Sequence, residues 1–366
     1  MGWYESLGVR SVINAAAAQT MLGGSLMPEP VVAAMTDAAT SFVHLPELHD
    51  RIGERLAGLT HNEAACVTCG SSAGILVAVA ATMTGDDPGQ VTALPGAEDL
   101  PRTEVVTFRG QRNGFLSAAR EAGATLIEIG GDGEQLRRSL SGRTAAVLWF
   151  AGSFWGEDAL LLDETVAIAH QTAVPVIVDA ADQIPPISNL WQYTGDFGAD
   201  LAIFSGGKGL CGPQSSGLVV GRADLIRACR ANSGPQHSIG RPAKVGKEEM
   251  VGLLAAVEWS LARDQQALFA QYQGMVDLWL DGLSGLPGIS VSHTDQSHSG
   301  QPVPRALVGF DSTARRDAVI AALWDLTPRI AVLPHGEAAI GLNPQGLETG
   351  QERAVLEGLL LVMPHS

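Results

Sequence analysis

The sequence of 366 residues has only four cysteines, few basic residues and no long apolar run. The cysteines, Cys66, Cys69, Cys211 and Cys229, are too few for a disulfide scaffold in a chain of this length. Cys66 and Cys69 have C-x-x-C spacing, but a metal would need a second pair, so we predict no metal site. Without a signal peptide or a membrane-spanning stretch, the sequence predicts a reduced, cytoplasmic protein that does not associate with membranes.

Basic residues are outnumbered by acidic ones, with 23 Lys and Arg against 39 Asp and Glu and a formal net charge of −16. A surface this acidic repels a phosphate backbone, so the sequence predicts no nucleic-acid partner. Small anionic substrates are not excluded, because a local group of Arg and Lys can exist within an acidic exterior. The 46% of hydrophobic and 17% of charged residues are typical of a compact folded protein.

Short β-branched, apolar segments alternate with amphipathic ones, which predicts an α/β fold with a mainly parallel sheet covered on both faces. The predicted strands are 104–108, 124–129, 145–150, 174–180, 201–205 and 217–221. Helical spacing of apolar residues is present in 113–122, 164–170 and most of 248–283.

The domain organisation predicted from these patterns has three parts. Residues 1–30 form an N-terminal arm, 31–247 a large domain, and 248–366 a linking helix with a small C-terminal α+β domain. In the small domain, the predicted strands are 289–293, 305–310, 329–334 and 338–343, the helices are 313–326 and 351–362, and 293–304 is a loop.

Three local features carry ligand-binding chemistry. The turn TCGSSAG at 68–74 ends an apolar run and opens a helix, so its backbone N–H groups and hydroxyls could hold a phosphate. Asp179 is the last acidic residue of the run VPVIVDA, at a strand end where a carboxylate points into the ligand crevice of an open α/β sheet. Lys208 lies between glycines in FSGGKGLCG, which lets the backbone approach a ligand closely.

Each feature alone has an ordinary structural explanation, but together they match the needs of pyridoxal 5′-phosphate (PLP). The PLP aldehyde needs a lysine amine, and its pyridine nitrogen needs a carboxylate that keeps it protonated. The phosphate needs a helix N-terminus with hydroxyl donors. We therefore predict that Lys208 forms a Schiff base with PLP and that Asp179 holds the ring.

These residues resemble those of fold-type I PLP enzymes in the class V aminotransferase-like group. More narrowly, the chain is similar to the family around bacterial selenocysteine synthase and D-glucosaminate-6-phosphate ammonia-lyase. The stretches that carry the resemblance are 6–28, 68–74, 174–186, 204–221, 239–256 and 341–347. The resemblance implies a mainly parallel seven-stranded sheet in the large domain, and active sites built from two subunits of at least a homodimer.

The same resemblance implies roles for individual residues. Lys208 and Asp179 take the catalytic roles already described, and a small set of further residues contacts the cofactor or the substrate. The cofactor-binding set is Gly70, Ser71, Ser72, Asp179, Ser205, Lys208, Gln214 and Gln111, and the substrate-binding set is Arg112, Arg241 and Lys244. Gln214 lies where related enzymes reach the cofactor phosphate of the neighbouring subunit.

Three departures from the family pattern leave the reaction open. Gln111 stands where relatives carry a histidine that could stack on the cofactor ring. Ala17–Gln19 replaces a common Gly-Thr pair, and Asp182 places a second carboxylate near the ring oxygen. The selenium transferase reaction is disfavoured by the acidic charge and by the expectation that a tRNA-binding N-terminal domain is missing.

The function predicted from the sequence is a PLP-dependent lyase that acts on an amino acid or amino-sugar acid by α,β-elimination. A racemase and an aminotransferase are alternatives, because all three reactions begin with a negative charge at the α-carbon. A non-catalytic PLP-fold protein and a nucleotide-binding α/β protein are the alternatives from other classes. The second has no support from a Walker A or dinucleotide fingerprint.

Overall fold

The computed structural model describes residues 2–96, 98–152 and 158–363. Contacts divide the chain into two compact units, Met27–Ala262 and Met1–Leu26 together with Arg263–Ser366. No helix in the described ranges combines the length and apolar composition needed to cross a membrane. The domain boundaries inferred from the sequence, at residues 30 and 247, stay a prediction.

The larger unit is built on a mixed sheet. Its strands are β2 (Ala64–Thr68), β3 (Glu104–Phe108), β4 (Thr125–Ile129), β5 (Thr144–Phe150), β6 (Val176–Asp179), β7 (Leu201–Ser205) and β8 (Gly217–Gly221). Within the described residues their order is β2-β8-β7-β6-β5-β3-β4. All neighbouring pairs are parallel except those that β8 makes with β2 and β7. The predicted mainly parallel seven-stranded sheet is confirmed.

Helices cover both faces of this sheet. They are α2 (Glu29–Ala39), α3 (Leu45–Leu59), α4 (Ser71–Thr84), α5 (Pro88–Ala93), α6 (Leu116–Glu121), α7 (Gly133–Ser139), α8 (Leu162–Ala169), α9 (Asn189–Gly195), α10 (Ala223–Ala231) and α11 (Lys247–Ala262). The side chains of successive strand residues point to opposite faces of the sheet and pack in different hydrophobic clusters. Val176 and Val178 belong to one cluster and Ile177 to the other. Continuous apolar strands are therefore needed here, because neither face meets water.

Helix α4 is apolar around most of its circumference and lies buried against the sheet. It begins directly after Gly70, and Gly74 in its first turn lets it approach the strands. A Cβ at Gly74 would lie 2.7 Å from Ile203 Cγ2 of β7. This close approach fixes the N-terminus of α4 at the edge where the parallel strands end.

The smaller unit is an α+β assembly, as predicted. Its elements are α1 (Trp3–Ser6), β1 (Val12–Asn14), α12 (Gln265–Leu283), β9 (Ile289–Thr294), β10 (Arg305–Phe310), α13 (Thr313–Asp325), β11 (Arg329–Ala331), β12 (Leu333–His335), β13 (Ala339–Leu342) and α14 (Gln351–Val362). Among the described residues, β12-β13-β10-β9 form an antiparallel sheet, and β1 pairs with β11 in parallel. The single strand predicted over 329–334 is wrong, because its two halves pair in different sheets.

Candidate active site

The ends of three strands bring the predicted cofactor residues to one edge of the large sheet. Thr68 of β2 and Ser205 of β7 both face Gly217 of β8. Asp179 of β6 faces Ile203 of β7, two residues before Ser205. The turn after β2 and the loop after β7 therefore lie at the same edge of the sheet as the carboxylate that ends β6, where open α/β sheets bind ligands.

Asp179 is a buried carboxylate, and the surrounding protein donates a hydrogen bond to only one of its two oxygens. The backbone N–H of Ala181 donates to its Oδ1 at 3.0 Å, and no N–H or O–H of the described residues donates to its Oδ2. Burial raises the pKa of Asp179 to about 6, against the lowering effects of the Ala181 bond and of nearby Lys208. One carboxylate oxygen thus stays available to a cationic N–H donor from a ligand.

Lys208 follows β7 and has a second carboxylate beside it. Its Nζ lies 3.8 Å from Asp182 Oδ2, and the two side chains are 23% and 20% exposed. Asp179 and Asp182 also interact, since Asp182 opposes the ionisation of Asp179. The amine and the two carboxylates therefore form one partly buried cluster whose charges influence one another.

Glycines fix the loop that carries Lys208. A Cβ at Gly209 would lie 1.8 Å from the carbonyl oxygen of Ile184, and one at Gly207 would lie 2.4 Å from the Cα of Gln214. Both contacts are with backbone, so a side chain at either position would force the loop to move. These contacts hold Lys208 close to the segment that follows Asp179.

The turn before α4 presents backbone donors. Gly70 has φ 148° and ψ 165°, and no side chain caps the first turn of the helix. The first N–H groups of an α-helix have no partner within the helix, so those of Ser71 and Ser72 can bind an anion. Ser71 is half-buried and Ser72 is exposed. Thr68 Oγ1 donates to the Gly70 carbonyl at 2.9 Å and fixes the turn.

Gln111 is buried and bonded to the end of β5. Its Nε2 donates to the Phe150 carbonyl at 2.9 Å, and the Phe150 N–H donates to its Oε1 at 3.0 Å. These two bonds hold the backbone at the end of β5. The cofactor-binding role of Gln111 stays a prediction.

The structure does not bring the predicted substrate-binding residues to the Lys208 cluster through any described contact. Arg112 is exposed and pairs with Glu128 of β4, with its Nε 2.7 Å from Glu128 Oε2. The recorded contacts of Arg241 and Lys244 are local, with the Arg241 N–H donating to Ser238 and Lys244 lying beside Gly234. Gln214 is exposed in the loop after Lys208.

Tyr193 of α9 is a further site neighbour, and the sequence pattern does not predict this role. It is buried, and the pKa of its phenol is raised first by burial and then by the charge of Asp179. The segment NLWQYTG has the pattern of an ordinary amphipathic helix. Nothing in it distinguishes a tyrosine near a functional carboxylate from one in the core.

Comparison with known proteins identifies the family. A model of the class-V aminotransferase family matches residues 132–303. A 5′-C-glycyluridine monooxygenase-decarboxylase from Streptomyces sp is 37% identical over 85% of this chain and 78% of the relative. A D-glucosaminate-6-phosphate ammonia lyase from Salmonella typhimurium is 32% identical over 85% of this chain and 82% of the relative. The chain belongs to the class-V aminotransferase family. A solved D-glucosaminate-6-phosphate ammonia-lyase, 29% identical, matches with a TM-score of 0.84 over 99% of this chain and 98% of that structure.

As a member of this family, the chain is a PLP-dependent enzyme with the fold-type I architecture, which confirms the predicted fold and cofactor. The described residues fit PLP. The unpartnered Oδ2 of buried Asp179 suits a protonated ring nitrogen, and the turn at Gly70 suits a phosphate. Lys208 supplies an amine at the same edge of the sheet.

Proposed function

We propose that this enzyme is a PLP-dependent lyase that acts on an amino acid or amino-sugar acid. The observation that carries the proposal is the cluster in which Lys208 Nζ lies 3.8 Å from Asp182 while buried Asp179 ends the neighbouring strand. The 32% identity to a D-glucosaminate-6-phosphate ammonia lyase supports elimination, and with it an amino-sugar acid as the substrate class.

Each residue of the cluster has a distinct task in this proposal. Bound PLP supplies an electron sink for negative charge at the substrate α-carbon. Asp179 holds the ring nitrogen protonated through its free oxygen. Lys208 Nζ takes the α-proton as a general base and returns a proton to the group that leaves the β-carbon. Asp182 stabilises the protonated Lys208 between those two transfers, since opposite charges at this separation attract.

Anchoring of the cofactor and substrate is assigned to the residues expected from the sequence. Gly70, Ser71, Ser72 and Ser205 would hold the phosphate, because they follow or end β2 and β7 at the same sheet edge as Asp179. Substrate carboxylate or phosphate would be held by Arg112, Arg241 or Lys244, with Arg112 exchanging its bond to Glu128 for one to substrate.

A second candidate is a decarboxylase that consumes oxygen. The relative at 37% identity is a monooxygenase-decarboxylase, which favours this reaction over racemisation or transamination. The two candidates differ in their products and co-substrate, because elimination releases ammonia without oxygen, whereas the second reaction consumes oxygen and releases carbon dioxide.

The reaction can be assigned by incubating the holoenzyme with a panel of amino acids and amino-sugar acids. Ammonia, 2-oxo acid, carbon dioxide and dissolved oxygen are measured together, and chiral chromatography follows the remaining substrate. We expect ammonia and a 2-oxo acid without oxygen uptake, and no product from Lys208→Ala. Oxygen uptake matched by carbon dioxide would favour the second candidate, and inversion without ammonia would favour a racemase.

We also propose that the enzyme works as a homodimer or larger homo-oligomer in the cytoplasm. In the larger unit, exposed apolar side chains gather between residues 32 and 43: Phe42 is fully exposed, and Val32 and Val43 are about half exposed. Large apolar side chains left exposed to this degree support an interface at this segment. Light scattering should give at least twice the mass of one chain, and a fully active single chain would contradict the proposal.

A further inference from the structure

A cleft of about 340 Å³ lies in the larger unit between α3, the start of β2 and α10. Its lining includes the buried side chains of Ala57, Ala65 and Ile226. Sites for small molecules enclose roughly 300–1,000 Å³ and combine an apolar lining with a few polar groups, so the cleft has the size of a small one. Ala64, the first residue of β2, lines the cleft, whereas Gly70 follows the other end of that strand. Because each strand residue advances the chain by about 3.3 Å, the two ends are roughly 13 Å apart, and the cleft is distinct from the candidate active site.

The imidazole of His49, on α3, lines this cleft and has an unmatched polar atom. The residue is 4% exposed, and its Nδ1 has no hydrogen-bond partner among the residues that the structure describes. Burial and the charge of Arg230 lower the pKa of His49 to about 4, against the raising effect of Asp50, so the ring is neutral near pH 7. A neutral imidazole has one nitrogen that accepts a hydrogen bond. Because buried polar groups are normally paired, the ring is a candidate ligand contact.

The charged groups at the cleft are matched except at one carboxylate. Their ion pairs are Arg230 with Asp50, Arg227 with Asp86 and Glu54 with Arg51. Glu63, directly before β2, accepts the Ala223 N–H through Oε2 at 3.0 Å, and it has no Lys or Arg partner in the part of the chain that the structure describes. Of the described residues that line the cleft, three carry a carboxylate and two a guanidinium group. One negative charge is thus in excess, which favours a cationic ligand over an anionic one.

We propose that this cleft binds the ammonium group of a small amine, with Glu63 and the neutral ring of His49 accepting its N–H donors. A primary or secondary ammonium ion has one positive charge and at least two N–H groups, so it can satisfy both acceptors at once. Its aliphatic part would lie against the apolar lining of the cleft. No group of three His, Cys, Asp or Glu side chains in the described ranges could hold a metal ion, so an organic cation suits the cleft better than a divalent metal.

The test titrates the holoenzyme with diethylammonium chloride at constant ionic strength and follows the histidine rings by NMR after ¹⁵N labelling. Diethylammonium has two N–H donors, and as a secondary amine it forms no neutral imine with the PLP aldehyde. Tetramethylammonium is its isomer with the same charge and no N–H donor, and it serves as the control ligand. The chain has nine histidines, so His49→Gln identifies the signals of His49. We expect those signals to shift saturably with diethylammonium and to stay in place with tetramethylammonium.

Two matched variants test the carboxylate. Glu63→Gln removes the charge but keeps an oxygen that can accept the Ala223 N–H, so the local fold should be retained. It should weaken diethylammonium binding at least about tenfold, the loss of one hydrogen bond to a charged group. Glu54→Gln removes a carboxylate of the same cleft that already has Arg51 as its partner, and it should change the affinity less than about twofold.

Three outcomes would overturn the proposal: no saturable shift of the His49 signals below molar concentration, equal shifts with both isomers, or equal affinity of wild type and Glu63→Gln. If Glu63→Gln does not fold, the comparison of the two isomers on the wild-type holoenzyme still decides. The readout is local to His49 and follows no reaction, so it can fail without affecting the proposed lyase.

Discussion

The substitution Asp179→Asn should have opposite effects on stability with and without the cofactor. Burial raises the pKa of this carboxyl from 3.8 to about 6 in the protein without a cationic ring beside it. At about 1.4 kcal/mol for each tenfold change in proton affinity, the difference corresponds to roughly 3 kcal/mol. The folded protein binds this proton more tightly than the unfolded chain. Protonation of Asp179 therefore stabilises the folded protein fully below pH 4, and this stabilisation is lost as the pH rises to 6.

Asparagine has nearly the same shape but carries no charge to desolvate. Above pH 6, the apoprotein with Asp179→Asn should therefore be more stable than wild-type apoprotein, by up to about 3 kcal/mol. Near pH 4 the two should be equally stable. With PLP bound, the order should reverse, because only the carboxylate gains a charged partner in the ring nitrogen.

The assay is urea unfolding of both proteins at one protein concentration, at pH values from 4 to 8, with and without PLP. The quantity compared is the difference between variant and wild type, because other titrating groups contribute equally to both. An apoprotein variant that is less stable than wild type at pH 8 would refute the desolvation argument. Equal stabilisation of both proteins by PLP would refute the assignment of Asp179 to the ring nitrogen.

Three further predictions concern the stability of variants at other positions in the larger unit. Gln111→Leu should lower the free energy of unfolding by about 2 kcal/mol with or without PLP, since two backbone groups at the end of β5 lose their partners; a loss confined to the holoenzyme would instead show a cofactor contact. Gly209→Ala, whose Cβ would lie 1.8 Å from a backbone oxygen, should cost about 3 kcal/mol or more, while Gly114→Ala, with nothing within 4 Å, should be almost neutral in the same urea titration. Burial lowers the pKa of His49 to about 4, so wild type should lose stability as the pH falls from 6.5 towards 4; His49→Gln should flatten that loss, and an unchanged slope would contradict it.

Much of the large sheet could be predicted because its strands carry a strong local signal. The predicted strands at 104–108, 201–205 and 217–221 coincide with β3, β7 and β8. Buried parallel strands are continuous apolar runs, and charged or glycine residues mark their ends. β2, with the sequence AACVT, is predictable only as an apolar run before the turn, since small residues do not distinguish strand from helix.

Pairing between distant segments could not be predicted. Residues 329–334 read as one strand, but β11 pairs with β1, more than 300 residues earlier in the chain, while β12 pairs with β13. No local sequence pattern predicts which strand a short strand will pair with. The choice depends on tertiary contacts.

The candidate site is likewise only partly predictable from the sequence. Asp179 and Lys208 could be located from the ends of strands, since the fold places such positions at one edge. The ion pair of Lys208 with Asp182 and the bonds of Gln111 to Phe150 depend on loop conformation and on side-chain packing, which the sequence does not specify.

The most direct test of the central claim is to reduce the PLP-loaded protein with borohydride and locate the modified residue by peptide mass spectrometry. The chain has only three lysines, Lys208, Lys244 and Lys247, so the other two are internal controls. We expect a pyridoxyl group on Lys208 alone, and no label in Lys208→Ala. Label on Lys244 or Lys247, or no label on a protein that has been saturated with PLP, would contradict it.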